Sequence, residues 1–364
     1  MRLLFVAADM HRGGAERHWA TLIPALAARG AEVRLLCLNE EGPLFADVQA
    51  AGVPATCVHT RGRGDIRALR RALSEAEAHP GAVVTRGVSP QILGEAIALR
   101  AGAAHVLNEH TPLTADGELL PALPHQQGLT RVVARRVARV IAVTDRQADP
   151  LTRLGYRRDR IVTVPNGVFE ADVVTRADRA STRSELGLAD DDFAVLCVAN
   201  LRPEKGVREF VEAVERARRQ VPKLRGLVAG DGPERAELER LSGDGEGVKL
   251  LGSRGDVPDL LDACDAFCLL STAEALPMSI LEAMALGRPV VTTDIGGTTD
   301  AVVHAQTGLV VAAGDSASAL ARLAAQPEWA RELGERGRAR QHERFSGDAM
   351  VEGYERELAE VARR

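Results

Sequence analysis

Glu274 and Glu282 stand in STAEALPMSILEAMALGRPVVTTDIGG, separated by seven residues. An apolar run over 266–270 comes before the first glutamate, and a helix-like segment carries the second. A further apolar run over 290–293 leads to Gly296-Gly297. The pattern reads strand, loop, helix, strand, glycine turn. It places two carboxylates and a helix N-terminus at the carboxyl edge of a parallel sheet. Open α/β sheets bind ligands there, and helix N-termini favour phosphate. Glu282 shares its helix with Ile280, Leu281, Ala283, Met284, Ala285 and Leu286. A carboxylate on so apolar a helix is costly to bury without a partner, and ribose hydroxyls would satisfy it. Helical side chains lean back toward the N-terminus, so Glu282 reaches toward the end that the Ser279 and Ile280 amides face. The alternative is a surface glutamate favoured by the helix dipole.

Other candidates lie at strand ends. Arg202 and Lys205, in ANLRPEKG, are two cations three apart where a strand opens into a helix. Such a pair clamps a diphosphate, though either residue also suits a solvated loop. Gly13-Gly14 follows the first strand, reading either as a tight turn or as a close approach of backbone to a phosphate or sugar. Its spacing is not G-x-G-x-x-G, so the dinucleotide fingerprint is absent. His110, in Asn108-Glu109-His110-Thr111, ends another strand and is either structural or a partner for a sugar hydroxyl or developing charge. Gly230-Asp231-Gly232-Pro233 is a turn with Pro at a helix start. The stretch LGSRGDV, holding Arg254 and Val257, is a comparable turn whose backbone could meet a nucleobase edge. Arg131, Arg135, Arg136 and Arg139, beside Val132, Val133 and Val137, read as a basic helical patch, either solvated or against anionic lipid.

These residues need a scaffold. The chain has 364 residues, long for one core, so two domains are expected. A net charge of −5 gives no general reason for nucleic-acid binding. No run reaches the ~18 apolar residues of a membrane span. The opening MRLLFVAADMHRGG reads as a first strand and not as a signal peptide. Cys37, Cys57, Cys197, Cys264 and Cys268 are scattered, without C-x-x-C, and read as buried reduced thiols of a cytoplasmic protein.

Apolar runs alternate with amphipathic segments. Strands are expected at 3–7, 33–38, 82–85, 105–108, 140–144 and 161–164, with helices from Trp19 to Gly30 (interrupted and kinked at Pro24), over 65–79, 90–100 and 128–138. A second series has strands at 194–199, 226–229, 248–251, 266–270, 290–293 and 309–311, with helices over 205–219, 233–241, 257–263, 277–286 and 316–325. The strands are apolar throughout, as when helices cover both sheet faces. The polar stretch 169–192 reads as the linker, and 39–63 and 112–127 as first-domain loops. The tail 328–364 is helical, and its stripe of Met350, Val351, Tyr354, Leu358 and Val361 must pack on something.

In order, strand–GG–helix, strand-end His110, RPEKG, GDGPE and E-(seven residues)-E resemble the family 4 retaining glycosyltransferases of GT-B fold. The likeness spans nearly the whole chain and is strongest from Val195 to Gly297. It implies two Rossmann-like, doubly wound α/β domains facing across a cleft. Residues 1–168 with the returning helix 347–364 would form the acceptor-side domain, and 169–346 the donor domain. It implies a nucleotide-sugar donor, UDP preferred to GDP, and an acceptor hydroxyl of a glycan, lipid-linked intermediate or small metabolite. Arg202 and Lys205 would hold the diphosphate, helped by amides of Met278, Ser279 and Ile280. Glu282 would hold ribose, Glu274 the transferred sugar, and backbone near Arg254 and Val257 the base. Gly13, Gly14 and His110 would come from the first domain, with Glu274 and His110 catalytic. No metal or other cofactor is expected, the basic pair replacing a cation at the leaving group. The arginine patch would allow peripheral contact with the inner membrane face.

Two departures stand out: Ala-Leu-Pro after Glu274 where many members have Gly-Phe-Gly, and Thr-Thr-Asp after Gly297 where Pro-Glu is common, leaving the role of Asp300 open. A nucleotide-sugar epimerase and a non-catalytic nucleotide-sugar-binding subunit share these features. A nicotinamide dehydrogenase fits least, lacking the glycine fingerprint.

Overall fold

A computed structural model describes all residues except 12, 61–64, 76–79, 121–129, 244 and 364. The chain divides into two compact units: Met1–Pro112 with Gly117–Asn166 and Asp348–Arg364, and Leu113–Asp116 with Gly167–Gly347.

The first unit is built on β1 (Arg2–Asp9), α1 (Gly14–Ala28), β2 (Glu32–Glu40), α2 (Pro43–Ala50), β3 (Ala55–Cys57), α3 (Ile66–Glu75), β4 (Ala82–Thr85), α4 (Val88–Ala101) and β5 (Ala104–Glu109). After the short strand β6 (Leu113–Thr114), which belongs to the second unit, residues 130–134 are the described part of α5. Then come β7 (Arg139–Ala142), α6 (Ala148–Arg153) and β8 (Ile161–Thr163). The strands pair in parallel in the order β3-β2-β1-β4-β5-β7-β8. The direction of winding reverses between β1 and β4, which is the switch point of a doubly wound sheet. Phe5, Val6, Val83, Val84, Val106 and Ile141 are fully buried, which explains apolar runs in place of alternation.

The second unit follows with α7 (Arg179–Leu186), β9 (Phe193–Val198), α8 (Val207–Arg218), β10 (Leu224–Ala229), α9 (Arg235–Leu241), β11 (Val248–Gly252) and α10 (Val257–Ala263). It continues with β12 (Ala266–Leu269), β13 (Ala273–Glu274), α11 (Met278–Ala285), β14 (Val290–Thr292), α12 (Thr298–Ala301), β15 (Gly308–Val310), α13 (Ser316–Ala325) and α14 (Pro327–Arg344). Its parallel sheet runs β11-β10-β9-β12-β14-β15, with the switch between β9 and β12. Helix α8 shows how the sequence dictates the packing. Val207, Phe210, Val211, Val214 and Ala217 recur at helical spacing and are buried, while its charged residues face outward. The last helix, α15 (Gly347–Ala362), returns to the first unit, and Met350, Val351, Tyr354, Leu358 and Val361 are its buried stripe.

Several expectations need correction. The stretch 169–192 is not a loose linker. It folds as a 3-10 turn, Glu170–Val173, and α7, capped by Asp178, whose side chain accepts from the Ser181 amide. Arg183 of α7 is buried and reaches the carbonyls of Ala263, Ala189 and Asp192. The stretch 39–63 contains α2 and edge strand β3, with Phe45 and Val48 buried. Residues 61–63 of that stretch, parts of the helices expected over 65–79 and 128–138, and 121–127 of the loop expected over 112–127 lie outside the described residues. Helix α1 continues through Pro24 unbroken. All five cysteines are buried and unpaired.

Arg139 does not belong to the basic patch. Arg139 is in β7, a buried strand, and bonds Glu357 and Glu360 of α15, the closer contact being 2.8 Å. Arg136 pairs with Glu95 of α4 at 3.0 Å, and the same carboxylate meets His105 at 2.9 Å. Arg131, Arg135 and Arg136 are exposed, beside the exposed Val132. Among the described residues no helix is long and apolar enough to cross a membrane.

Candidate functional site

The second unit gathers most of the expected residues at the carboxyl ends of β9, β12 and β14. β9 and β12 are neighbours whose following chains leave in opposite directions, so a crevice opens at their ends. Lys205 ends the 3-10 turn Pro203–Lys205 after β9, and Glu274 lies in β13 after β12. Their side chains meet across this switch point, Lys205 Nζ donating to Glu274 Oε1 at 2.6 Å. Ser271 Oγ donates to the same oxygen at 2.9 Å. Glu274 is 5% exposed, so the lysine supplies the charge that makes an ionised carboxylate tolerable there.

The loops are locked to one another by backbone. Thr272 N donates to Glu204 O at 2.9 Å, and Thr293 Oγ1 to Ser271 O at 2.6 Å. Thr298 Oγ1 donates to Thr293 O at 2.6 Å and accepts from Ile295 N. Gly296 takes φ +52, and a Cβ there would lie 1.9 Å from Glu274 O, so only glycine lets this turn close on the glutamate loop. Gly297 N donates to Ala275 O. Strand β13 also pairs antiparallel with β6, Glu274 opposite Leu113.

Helix α11 starts just beyond. Pro277 is its N-cap and offers no side-chain acceptor, so the first-turn amides of Met278, Ser279 and Ile280 lack a side-chain cap. An uncapped helix start is suited to an anion. Glu282 follows in the next turn, 4% exposed despite its charge, between Leu281 and Ala283, both fully buried. Arg202 is exposed and forms no ion pair among the described residues. Arg254 is not a free cation. Its guanidinium forks onto Asp256 (Nε to Oδ1, 2.8 Å) and touches Glu185, and those hydrogen bonds, Asp256 first, raise its pKa. Val257, 7% exposed, opens α10. Asp300 lies in α12, and its carbonyl accepts from Arg340 at 2.7 Å.

In the first unit Gly13 has φ −151 and Gly14 lies in α1, so neither needs the left-handed freedom of glycine. A Cβ on Gly13 would instead overlap the Glu16 carboxylate, which pairs with Arg86 at 2.8 Å. His110 is half-buried after β5, its ring edge-on to His18 at 4.7 Å. Burial, then the neighbouring His18 ring and the Arg86 charge, holds its pKa well below the usual histidine value. The same burial lowers His18 from 6.5 to about 3, with Arg86 adding to the shift. The adjacent Glu109 is pushed up by burial, although the Thr111 amide donates to it.

Ser271, Thr293, Thr298, His18 and Arg86 were not singled out from sequence. A strand-end rule would have found Arg86 and Thr293, which directly follow β4 and β14, and Ser271, two residues beyond β12. Thr298 braces its own turn at Thr293 and Ile295, and His18 acts through Tyr354, remote in sequence.

A neutral histidine buried in the fold has a pH consequence. Below about pH 6.5 the unfolded chain takes up protons that folded His18 refuses. Its stabilising contribution is therefore complete above that pH and declines, by about 1.4 kcal/mol per pH unit, as the pH falls toward 3. Urea midpoints of a His18→Gln variant should fall less steeply between pH 6.5 and 5 than those of the parent. Equal slopes would assign the acid sensitivity to other groups.

The comparisons with known proteins bear on this geometry. The model for "Glycosyl transferases group 1" matches residues 178–340, and that for "Glycosyltransferase Family 4" matches residues 12–172. Between them, two glycosyltransferase models match most of both units of the chain. The chain is 31% identical to the alpha-D-kanosaminyltransferase of Streptomyces kanamyceticus over 65% of its own length and 64% of the relative. It is 31% identical to the N-acetyl-alpha-D-glucosaminyl L-malate synthase of Bacillus anthracis over 56% and 54%. The match thus spans less than two thirds of the length of either relative. The chain has the GT-B fold. The crystal structure of Anabaena HepE with UDP superposes with a TM-score of 0.84 at 21% identity, covering 99% of this chain and 100% of that one. Sucrose-phosphate synthase from Thermosynechococcus elongatus superposes at 0.79, 20% identical, over 99% of each chain.

Proposed function

We propose that this protein is a glycosyltransferase that moves a hexosyl-type sugar from a nucleoside-diphosphate sugar, UDP-linked by preference, to an acceptor hydroxyl with retention of anomeric configuration. The observation that carries the reading is the Lys205–Glu274 pair at the β9/β12 switch point, beside the uncapped start of α11 and the buried Glu282. Lys205 and Arg202 stabilise the leaving diphosphate, which makes a metal ion unnecessary. The Met278, Ser279 and Ile280 amides bind its oxygens, and Glu282 takes the ribose hydroxyls. Glu274, already held by Lys205 and Ser271, accepts hydrogen bonds from the transferred sugar. Backbone at Arg254 and Val257 meets the base. His110 and the Gly13-Gly14 turn serve the acceptor-side unit.

Support for UDP comes from HepE, whose structures hold UDP and UDP-glucose. Support for retention comes from relatives named for alpha-D-linked products, since nucleoside-diphosphate hexoses of the gluco series are themselves α-linked. With Glu274 tied to Lys205, same-face attack, in which a donor phosphate oxygen takes the acceptor proton, suits this site better than a carboxylate nucleophile. L-malate, inositol 3-phosphate and 2-deoxystreptamine in the relatives' names point to a small polar acceptor.

Thermal unfolding with UDP, GDP, ADP and NAD, without added metal, tests the donor site. A ligand that binds only the folded state adds about 2.7 kcal/mol at a hundredfold excess over Kd. UDP is expected to raise Tm, and Glu282→Ala to abolish the rise while leaving the protein folded. A response to NAD alone, or to no diphosphate, would refute the assignment. Conversion of the donor to an epimer with no acceptor present would replace transfer by epimerisation.

A further inference from the structure

A chain of buried hydrogen bonds in the first unit converges on Asn108, at the end of β5 and fully buried. Trp19 Nε1 of α1 donates to Asn108 Oδ1 at 2.6 Å. Asn108 Nδ2 donates to the Tyr354 hydroxyl at 2.6 Å and to Ile141 O at 3.4 Å. An indole N–H can only donate and a backbone carbonyl can only accept, so the amide is fixed in one orientation from both sides. His110 Nε2 lies 3.0 Å from Asn108 Oδ1, the oxygen end. An acceptor there requires a proton on Nε2. With Tyr354 O accepting from Asn108, its own proton is directed to His18 Nε2 at 3.1 Å. His18 is fully buried and neutral, so the chain carries no charge from that end.

We infer that Asn108, set by Trp19 and by Tyr354 of the returning C-terminal helix, holds His110 as the neutral Nε2–H tautomer, leaving Nδ1 a bare acceptor for a substrate hydroxyl. Asn108 and Tyr354 are thus positioning residues, and α15 is part of the site's machinery and not only a brace. The groups facing His110 reinforce this. His18 stands edge-on to its ring, and Arg86, whose guanidinium lies over the Trp19 ring at 5.2 Å, disfavours a second proton. The role of Nδ1 toward substrate rests on the glycosyltransferase reading above, whereas the tautomer does not.

Nitrogen-15 NMR of the histidine-labelled full chain at pH 7 measures the tautomer directly. Nδ1 of His110 should resonate as an unprotonated nitrogen and Nε2 as a protonated one. A proton on Nδ1, or a doubly protonated ring, would overturn the inference whatever the enzyme's substrate. Tyr354→Phe removes the closer acceptor of the Asn108 amide nitrogen, leaves it only the 3.4 Å contact to Ile141 O, and keeps the packing. In that variant the two His110 nitrogen signals should move toward each other as tautomers mix. With a transfer assay in hand, kcat should fall about tenfold, the worth of one well-made hydrogen bond, with the donor KM unchanged. Unchanged nitrogen shifts in Tyr354→Phe would remove Tyr354 from the arrangement. An intact tautomer response without any change in kcat would leave His110 correctly described but outside the reaction, so the two failures are separable.

Discussion

Lys205→Ala is expected to lower kcat by about a hundredfold to a thousandfold, the usual loss when a positioned group that stabilises leaving-group charge is removed. It should also destabilise the fold. Glu274 would keep Ser271 Oγ as a partner but lose its counter-charge at 5% exposure. Breaking one side of a buried ion pair costs about 3–5 kcal/mol. The Lys205 side chain is 23% exposed, so water relieves part of this and the lower end applies. The double variant Lys205→Ala with Glu274→Gln separates the two effects. A neutral amide needs only hydrogen bonds, so stability should return while turnover stays low. Urea midpoints and initial rates measured on all four proteins make the cycle. Near-parental turnover in Lys205→Ala would take the lysine out of the chemistry. A double variant as unstable as the single one would show that charge burial is not what Lys205 relieves.

Gly206→Ala should be the most damaging small substitution near the site. Gly206 joins the Lys205 turn to α8 at φ +62, and a Cβ there would lie 1.9 Å from Leu270 O. The obstacle is backbone and cannot rotate away. Leu270 leads into Ser271 and Glu274, so relief of the clash must push the Lys205 and Glu274 loops apart. Left-handed backbone alone costs a non-glycine residue about 1–2 kcal/mol. Gly187 supplies the control, with φ +75 at the end of α7 and open space around its Cβ position. Gly187→Ala should cost only that strain and retain the UDP-induced rise in Tm. Gly206→Ala should cost clearly more and lose the rise. Equal stability in the two variants would mean that the loops tolerate separation at Gly206.

Much of the architecture was legible because burial on both faces leaves a simple mark. The runs at 82–85 and 266–270 are continuous apolar stretches between helical periodicities, and they became β4 and β12 nearly residue for residue. The tail stripe through Tyr354 and Leu358 announced a buried face. Shorter and more local signals failed. Helix α2 has Phe45 and Val48 as its buried residues, and edge strand β3 has three residues, too few for a period to emerge from 39–63. Arg139 fitted a helical stripe with Arg131, Arg135 and Arg136 as well as it fitted a strand. Pairing of β7 between β5 and β8 decided the matter, and with it the burial of the guanidinium against α15.

The sequence by itself determined the two α/β series, the strand ends where chemistry belongs, and the types of residue standing there. Those properties are local: a run, a period, a glycine, a cation near a helix start. Only the tertiary structure decided which of those residues touch. Lys205 and Glu274 are 69 positions apart, and Asn108 and Tyr354 are 246 apart. The first pair is joined because strand order brings two remote strand ends to one edge of a sheet, and the second because α15 packs back on the first unit. The tautomer of His110 belongs to the same class of fact. No spacing along the chain encodes which nitrogen holds the proton, and the choice follows from an indole, an amide and a phenol that meet only once the C-terminal helix has returned.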